Sequence, residues 1–88
     1  MTIFPPPDPN LVALRLELAR LRAERGWTYD ELAERSGLSR RTLIEVEQGR
    51  TIGSLGTWHA LAHALSIPFD QLLGALCSGH TPPAVPPG

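Results

Sequence analysis

The chain has 88 residues, 42% of them hydrophobic, a single cysteine and a formal net charge of −1. That length allows one small domain, and with Cys77 alone no intrachain disulfide can form, so a reducing cytoplasm is the expected setting. No apolar run approaches the roughly 18–20 residues that span a bilayer, and no basic-then-apolar leader opens the chain, so neither a membrane partner nor export is expected. The positive charge is unevenly placed. All eight basic residues are arginines between Arg15 and Arg50, and beyond Arg50 only Asp70 is charged. An anionic partner would therefore meet one arginine-bearing face, through contacts that weaken steeply with salt.

In chain order, residues 1–9 read as an N-terminal arm. Pro5, Pro6, Pro7 and Pro9 forbid a helix and favour an extended form. The arm is either free or carries Ile3 and Phe4 onto a partner subunit. A folded unit is expected over residues 10–77. Asn10 caps a first helix, Leu11 to Arg25, in which Leu11, Leu14, Leu18 and Leu21 recur at spacings of three and four and define a core stripe. Val12 and Leu16 fall off that stripe, as surface residues or as a subunit contact. Gly26 closes the helix, and Trp27 reads as a core aromatic.

Thr28 caps the next helix, with Asp30 and Glu31 where the helix dipole favours negative charge. Leu32 and Ala33 point inward, and Gly37 ends the helix where a left-handed backbone costs glycine little. Leu38 is an apolar turn residue and Ser39 a second cap. A short helix from Arg40 to Gln48 follows, stopped by Gly49. Leu43 and Val46 share its back, while Arg40, Arg41, Ile44 and Glu45 occupy its front. A buried back with two arginines and a carboxylate in front suits insertion into a DNA major groove.

Ser54 caps a fourth helix with an expected buried stripe of Leu55, Trp58, Leu61, Ala62 and Leu65. His59 and His63 share a face, but the HALAH stretch lacks the glutamate of a zinc-protease helix, and no supporting acid stands nearby in sequence. No metal and no cofactor are therefore expected. Pro68 suits the start of a fifth helix, running to before Gly79. Its Phe69, Leu73 and Leu76 exceed what a small body is expected to cover, which suggests a subunit contact. Cys77 reads as an inert thiol, and residues 78–88, rich in proline, as a flexible tail. With no phosphate-cradling glycine loop and no nucleophile–base pair at a recognisable spacing, enzymatic activity is not expected.

The ordered set Gly26-Trp27-Thr28, Glu31-Leu32-Ala33, Ser36-Gly37-Leu38-Ser39, Leu43 and Glu47-Gln48-Gly49-Arg50 resembles the helix-turn-helix of the lambda-repressor-like, Cro/CI-type (XRE-type) DNA-binding family. The match continues through Leu55, Leu61-Ala62, Ala64-Leu65 and Ile67 to Leu72-Leu73. The resemblance implies an all-α, five-helix domain that binds double-stranded DNA as a homodimer. A transcriptional regulator, most simply a repressor, is the function implied.

The resemblance also implies roles. Arg22 and Glu47 stand where the family often has an ion pair that seats the recognition helix. Arg40 and Arg41 are placed to bond guanine O6 and N7, and Ile44 to touch a thymine methyl. Glu45 either accepts from cytosine N4 or orients Arg41 one helical turn away. Ser39, Thr42, Gln48, Gly49, Arg50 and Thr51 are expected along the sugar-phosphate backbone. Tyr29 stands where the family most often has a phosphate-contacting glutamine; a phenol still donates, with a different reach. Gly53 and Ser54 depart from the usual Asn-Pro. The near-zero net charge keeps open a second reading: a protein-interaction or antitoxin-type module on the same fold, with weak or no DNA binding.

Overall fold

Four polar side chains decide where the helices begin. Asn10 Oδ1 accepts from the Ala13 N–H at 2.9 Å, and Thr28 Oγ1 from Glu31 at 3.2 Å. Ser39 and Ser54 Oγ accept from Thr42 and Thr57, each at 3.1 Å. Each bond satisfies one amide that the helix cannot pair itself and contributes about 1 kcal/mol. In the computed structural model, which describes residues 8–78, the helices are α1 (Leu11–Glu24), α2 (Tyr29–Ser36), α3 (Arg40–Glu47), α4 (Leu55–Leu65) and α5 (Phe69–Leu73). A 3₁₀ turn, Gly74–Cys77, closes the series, and there is no strand among the described residues. The fold is all-α. The expected arm and tail lie outside the described residues, apart from Asp8, Pro9 and Ser78.

Every helix gives leucines or their equivalents to one core. α1 contributes Leu14, Leu18 and Leu21, and α2 contributes Leu32. Leu43 and Val46 come from α3, Trp58, Leu61, Ala62 and Leu65 from α4, and Leu72 from α5. Burying each large side chain is worth about 1.5–3 kcal/mol. Trp58 also donates its indole N–H to the Ile52 carbonyl at 2.7 Å, which ties the α3–α4 loop to the core.

Two residues expected in this core are outside it. Leu11 is 37% exposed and Leu55 71%. Both stand on the first turn of their helices, so the stripe they continue runs past the last neighbouring element. Trp27, expected as a core aromatic, is only half-buried: its ring lies under the Arg35 guanidinium at 4.4 Å, with that of Arg25 at 5.7 Å.

The fifth helix is shorter than expected. α5 stops at Leu73 and the chain tightens into the 3₁₀ turn. The Leu76 carbonyl accepts from the Asn10 amide at 2.8 Å, and the Ser78 carbonyl from Asn10 Nδ2 at 3.0 Å. Those acceptors are taken by the start of α1, which fixes the turn where it is. No single helix among the described residues is long and apolar enough to cross a membrane.

Candidate nucleic-acid interface

Gly37 makes the sharp turn between α2 and α3 with φ +77°, a region costly for residues with a Cβ. Leu38 tucks against the core beside it. With Leu43 and Val46 at 0% and 1% exposure, α3 has no freedom to rotate about its axis, so its opposite face must point out.

That face carries Arg40, Arg41, Ile44 and Glu45. The Arg41 side chain is 89% exposed, and its Nε donates to Glu45 Oε1 at 3.1 Å. Arg40 Nε stands 3.3 Å from Asp30 Oδ1, a partner on α2. Ile44 and Glu45 are half-exposed. Spacing gave no sign of the Asp30–Arg40 pair, since the two residues sit on different helices.

The residues expected along a phosphate backbone fall into two groups. Ser39 Oγ donates to Thr42 Oγ1 at 2.8 Å while it caps α3, so both hydroxyls are engaged with each other. The amides of Gln48, Gly49 and Arg50 fold back onto the Ile44, Val46 and Glu45 carbonyls at 2.9, 3.2 and 2.9 Å. These N–H groups close α3, leaving side chains to make outward contacts from this loop. Gln48, Arg50 and Thr51 are exposed. Tyr29 packs against the core, with the Arg22 guanidinium 4.3 Å from its ring centroid.

Behind α3, Arg22 and Glu47 join two helices. Arg22 Nε and Nη2 donate to Glu47 Oε2 and Oε1 at 2.8 and 3.1 Å, and Nη1 donates to the Trp27 carbonyl at 2.9 Å. The Glu47 side chain is only 5% exposed and that of Arg22 21%. The bonds to Glu47 hold the Arg22 guanidinium above its ordinary pKa, against the opposing effect of burial. One bidentate pair thus ties the end of α1, the α1–α2 loop and the end of α3 together.

A family model described as a helix-turn-helix domain matches residues 13–81. The chain belongs to the lambda-repressor-like helix-turn-helix family. It is similar to the HTH-type transcriptional regulator SutR of Escherichia coli K12, with 32% identity over 60 residues, covering 68% of this chain and 34% of SutR. It is also similar to the immunity repressor protein of Bacillus phage phi105, with 41% identity over 54 residues, covering 61% and 38% of the two chains. The chain thus spans about a third of the length of these two curated relatives. Among solved structures it resembles the restriction-modification controller protein C.AhdI of Aeromonas hydrophila, at 36% identity and TM-score 0.68, covering 72% of this chain and 96% of that one.

In this helix-turn-helix frame α2 and α3 are the paired helices; the outward face of α2 is mostly acidic, with Asp30, Glu31 and Glu34, and that of α3 carries Arg40 and Arg41. Elsewhere on the molecule, His59 and His63 stack edge to face with centroids 4.5 Å apart. There is no cluster of three or more metal-ligand side chains among the described residues. Phe69, Leu73 and Leu76 are half-buried and pack on the core flank. Among the described residues, the large apolar side chains left exposed are instead Leu11, Val12, Leu16, Ile52 and Leu55.

Proposed function

We propose that this protein is a sequence-specific DNA-binding transcriptional regulator, a repressor, that binds a pseudo-palindromic site as a homodimer. The observation that carries the reading is the outward face of α3, with Arg40, Arg41, Ile44 and Glu45 projecting from a helix whose back is buried. A phage immunity repressor and a restriction-modification controller among the similar proteins support a repressor or controller role.

In this reading α3 enters the major groove. Arg40 and Arg41 exchange their carboxylate partners for guanine O6 and N7, and a good bidentate contact contributes about 1–3 kcal/mol of discrimination. Ile44 meets a thymine methyl, and Glu45 accepts from cytosine N4 or holds Arg41 in place. Tyr29, Ser39, Thr42, Gln48, Gly49, Arg50 and Thr51 run along the sugar-phosphate backbone. The uncovered flanks of Phe69, Leu73 and Leu76 form the subunit contact, setting two recognition helices about 34 Å apart on successive grooves. No cofactor takes part.

Selection from a random duplex library at low and moderate salt tests this. Enrichment of a motif with two-fold symmetry, which Arg41→Ala relaxes at one base step, is the expected result. A library that returns no motif at any salt would favour a protein-interaction module on the same fold.

A further inference from the structure

The chain's eight arginines are not equally available. Arg20 is bonded to Glu17 and Glu24, and Arg22 to Glu47. Arg25 donates to the Leu21 and Leu65 carbonyls. Arg35 lies on the Trp27 ring. Arg40 and Arg41 face Asp30 and Glu45. Arg15 and Arg50 remain, and neither guanidinium has a hydrogen-bond or ion-pair partner among the described residues.

Both adjoin one glycine. Arg15 projects from α1 and lays its guanidinium across Gly49: a Cβ built there would stand 2.5 Å from Arg15 Nη1 and 2.8 Å from Cζ. A side chain at this position would push the guanidinium aside, and Gly49 is itself held in the left-handed region at φ +77°. Arg50 follows directly in the chain. Arg15, Gly49 and Thr51 line a shallow groove of about 150 Å³ beside Ile52 and Trp58.

The end of α3 favours a cation nearby, but no hydrogen bond holds Arg15 there among the described residues. The carbonyls of Ile44, Glu45 and Val46 already accept from the amides of residues 48–50, and no bond from Arg15 reaches them. Arg15 is half-buried, so its charge has given up part of its hydration without gaining an anion. An arrangement of that kind is relieved by an anion from outside. Guanidinium forks bind phosphate oxygens in a bidentate manner, and the Arg15 fork already lies against the loop that follows α3.

We propose that Arg15, lying over Gly49, and Arg50, the next residue in the chain, form a phosphate clamp that grips the DNA backbone next to the recognition helix. The clamp rests on the DNA-binding reading and adds to it an arginine from α1, outside the helix-turn-helix itself. It supplies affinity and register and no base preference. Its two cations also let a chain of net charge −1 hold a polyanion, because they are free of the carboxylates that neutralise most of the others.

The test compares wild type, Arg15→Gln, Arg50→Gln and the double variant, by fluorescence anisotropy on a short random-sequence duplex and on the selected site. Salt is varied between about 50 and 200 mM. Arg15→Gln is expected to weaken both duplexes by a similar factor, about tenfold per bound protomer at the low-salt end, and to reduce the slope of log K against log salt by about 0.9 per protomer, about 1.8 for the homodimer. The double variant should lose about twice that slope. Thermal melting without DNA should show Arg15→Gln close to wild type. An unchanged salt slope in Arg15→Gln overturns the clamp, as does weakening of the selected duplex alone, or a loss of melting temperature that accounts for the weakened binding. If Arg41→Ala still relaxes one base step in that case, the DNA-binding reading survives without the clamp. A wild-type protein that binds neither duplex overturns both.

Discussion

Removing Arg22 strands a buried charge. In Arg22→Met, the Glu47 carboxylate, 5% exposed, loses both of its donors, and no other donor reaches it among the described residues. Breaking a buried pair from one side costs about 3–5 kcal/mol. The Arg22 side is 21% exposed, so water can enter the space it leaves, and the lower end, about 3 kcal/mol, applies. For a domain of this size that lowers the melting temperature by roughly 12–24 °C. Glu47→Gln is milder. The guanidinium keeps the Trp27 carbonyl and its path to water, so about 1–2 kcal/mol is expected. Replacing both, as Arg22→Met with Glu47→Leu, removes the stranded charge and should cost less than Arg22→Met alone. Urea unfolding followed by circular dichroism supplies all three values. The sign with pH follows from the raised Arg22 pKa. Its contribution is full below arginine's ordinary range and is lost only as pH climbs through the higher folded-state value, so alkaline conditions up to about pH 10 should leave it intact. A cost below about 1 kcal/mol for Arg22→Met, or a double variant no more stable than Arg22→Met alone, would refute the reasoning.

Two leucines should behave oppositely. Leu18→Ala at 0% exposure is expected to cost about 2–5 kcal/mol, whereas Leu55→Asp at 71% exposure should stay within about 0.5 kcal/mol by the same denaturation assay. Glu45→Gln removes the carboxylate beside Arg41, so affinity for random duplex should rise by more than affinity for the selected site. Equal gains on both duplexes, measured by anisotropy at one salt, would contradict a role for Glu45 in discrimination.

The helix starts were legible because a cap is a local bond. Asn10, Thr28, Ser39 and Ser54 each reach an amide three residues on, and no distant residue decides the outcome. The core stripe was legible as a direction and not as an extent. Periodicity says which way Leu11 and Leu55 face, but where the neighbouring helix ends is a matter of tertiary packing. The close of the chain was hidden for the same reason: the bonds that set the 3₁₀ turn come from Asn10, 68 residues before Ser78. Trp27 does pack against the core, from a half-buried position; what had no local signal is the pair of arginines on its ring, Arg25 at the cap after α1 and Arg35 on α2. Arg22 and Glu47 are 25 residues apart, beyond any helical period, and the family resemblance alone pointed to them. Asp30 beside Arg40 and Arg15 across Gly49 had no signal of either kind.

The reading face is built from exposed ion pairs, and their weakness suits the proposed function. An exposed pair such as Arg41–Glu45 or Arg40–Asp30 contributes at most about 1 kcal/mol, so it opens readily. A guanine edge offers two acceptors in place of one carboxylate and is worth about 1–3 kcal/mol of discrimination, enough to drive the exchange at the right base. At a wrong base the arginine keeps its carboxylate, and that carboxylate then stands near phosphates that repel it. Discrimination arises from this difference between the two outcomes, and only part of it comes from the attraction. A strongly basic face would bind every duplex tightly and lose that contrast. In a chain of net charge −1, the proposed roles divide the two tasks: tethered arginines on α3 select, and Arg15 and Arg50, without ion-pair partners among the described residues, grip beside it.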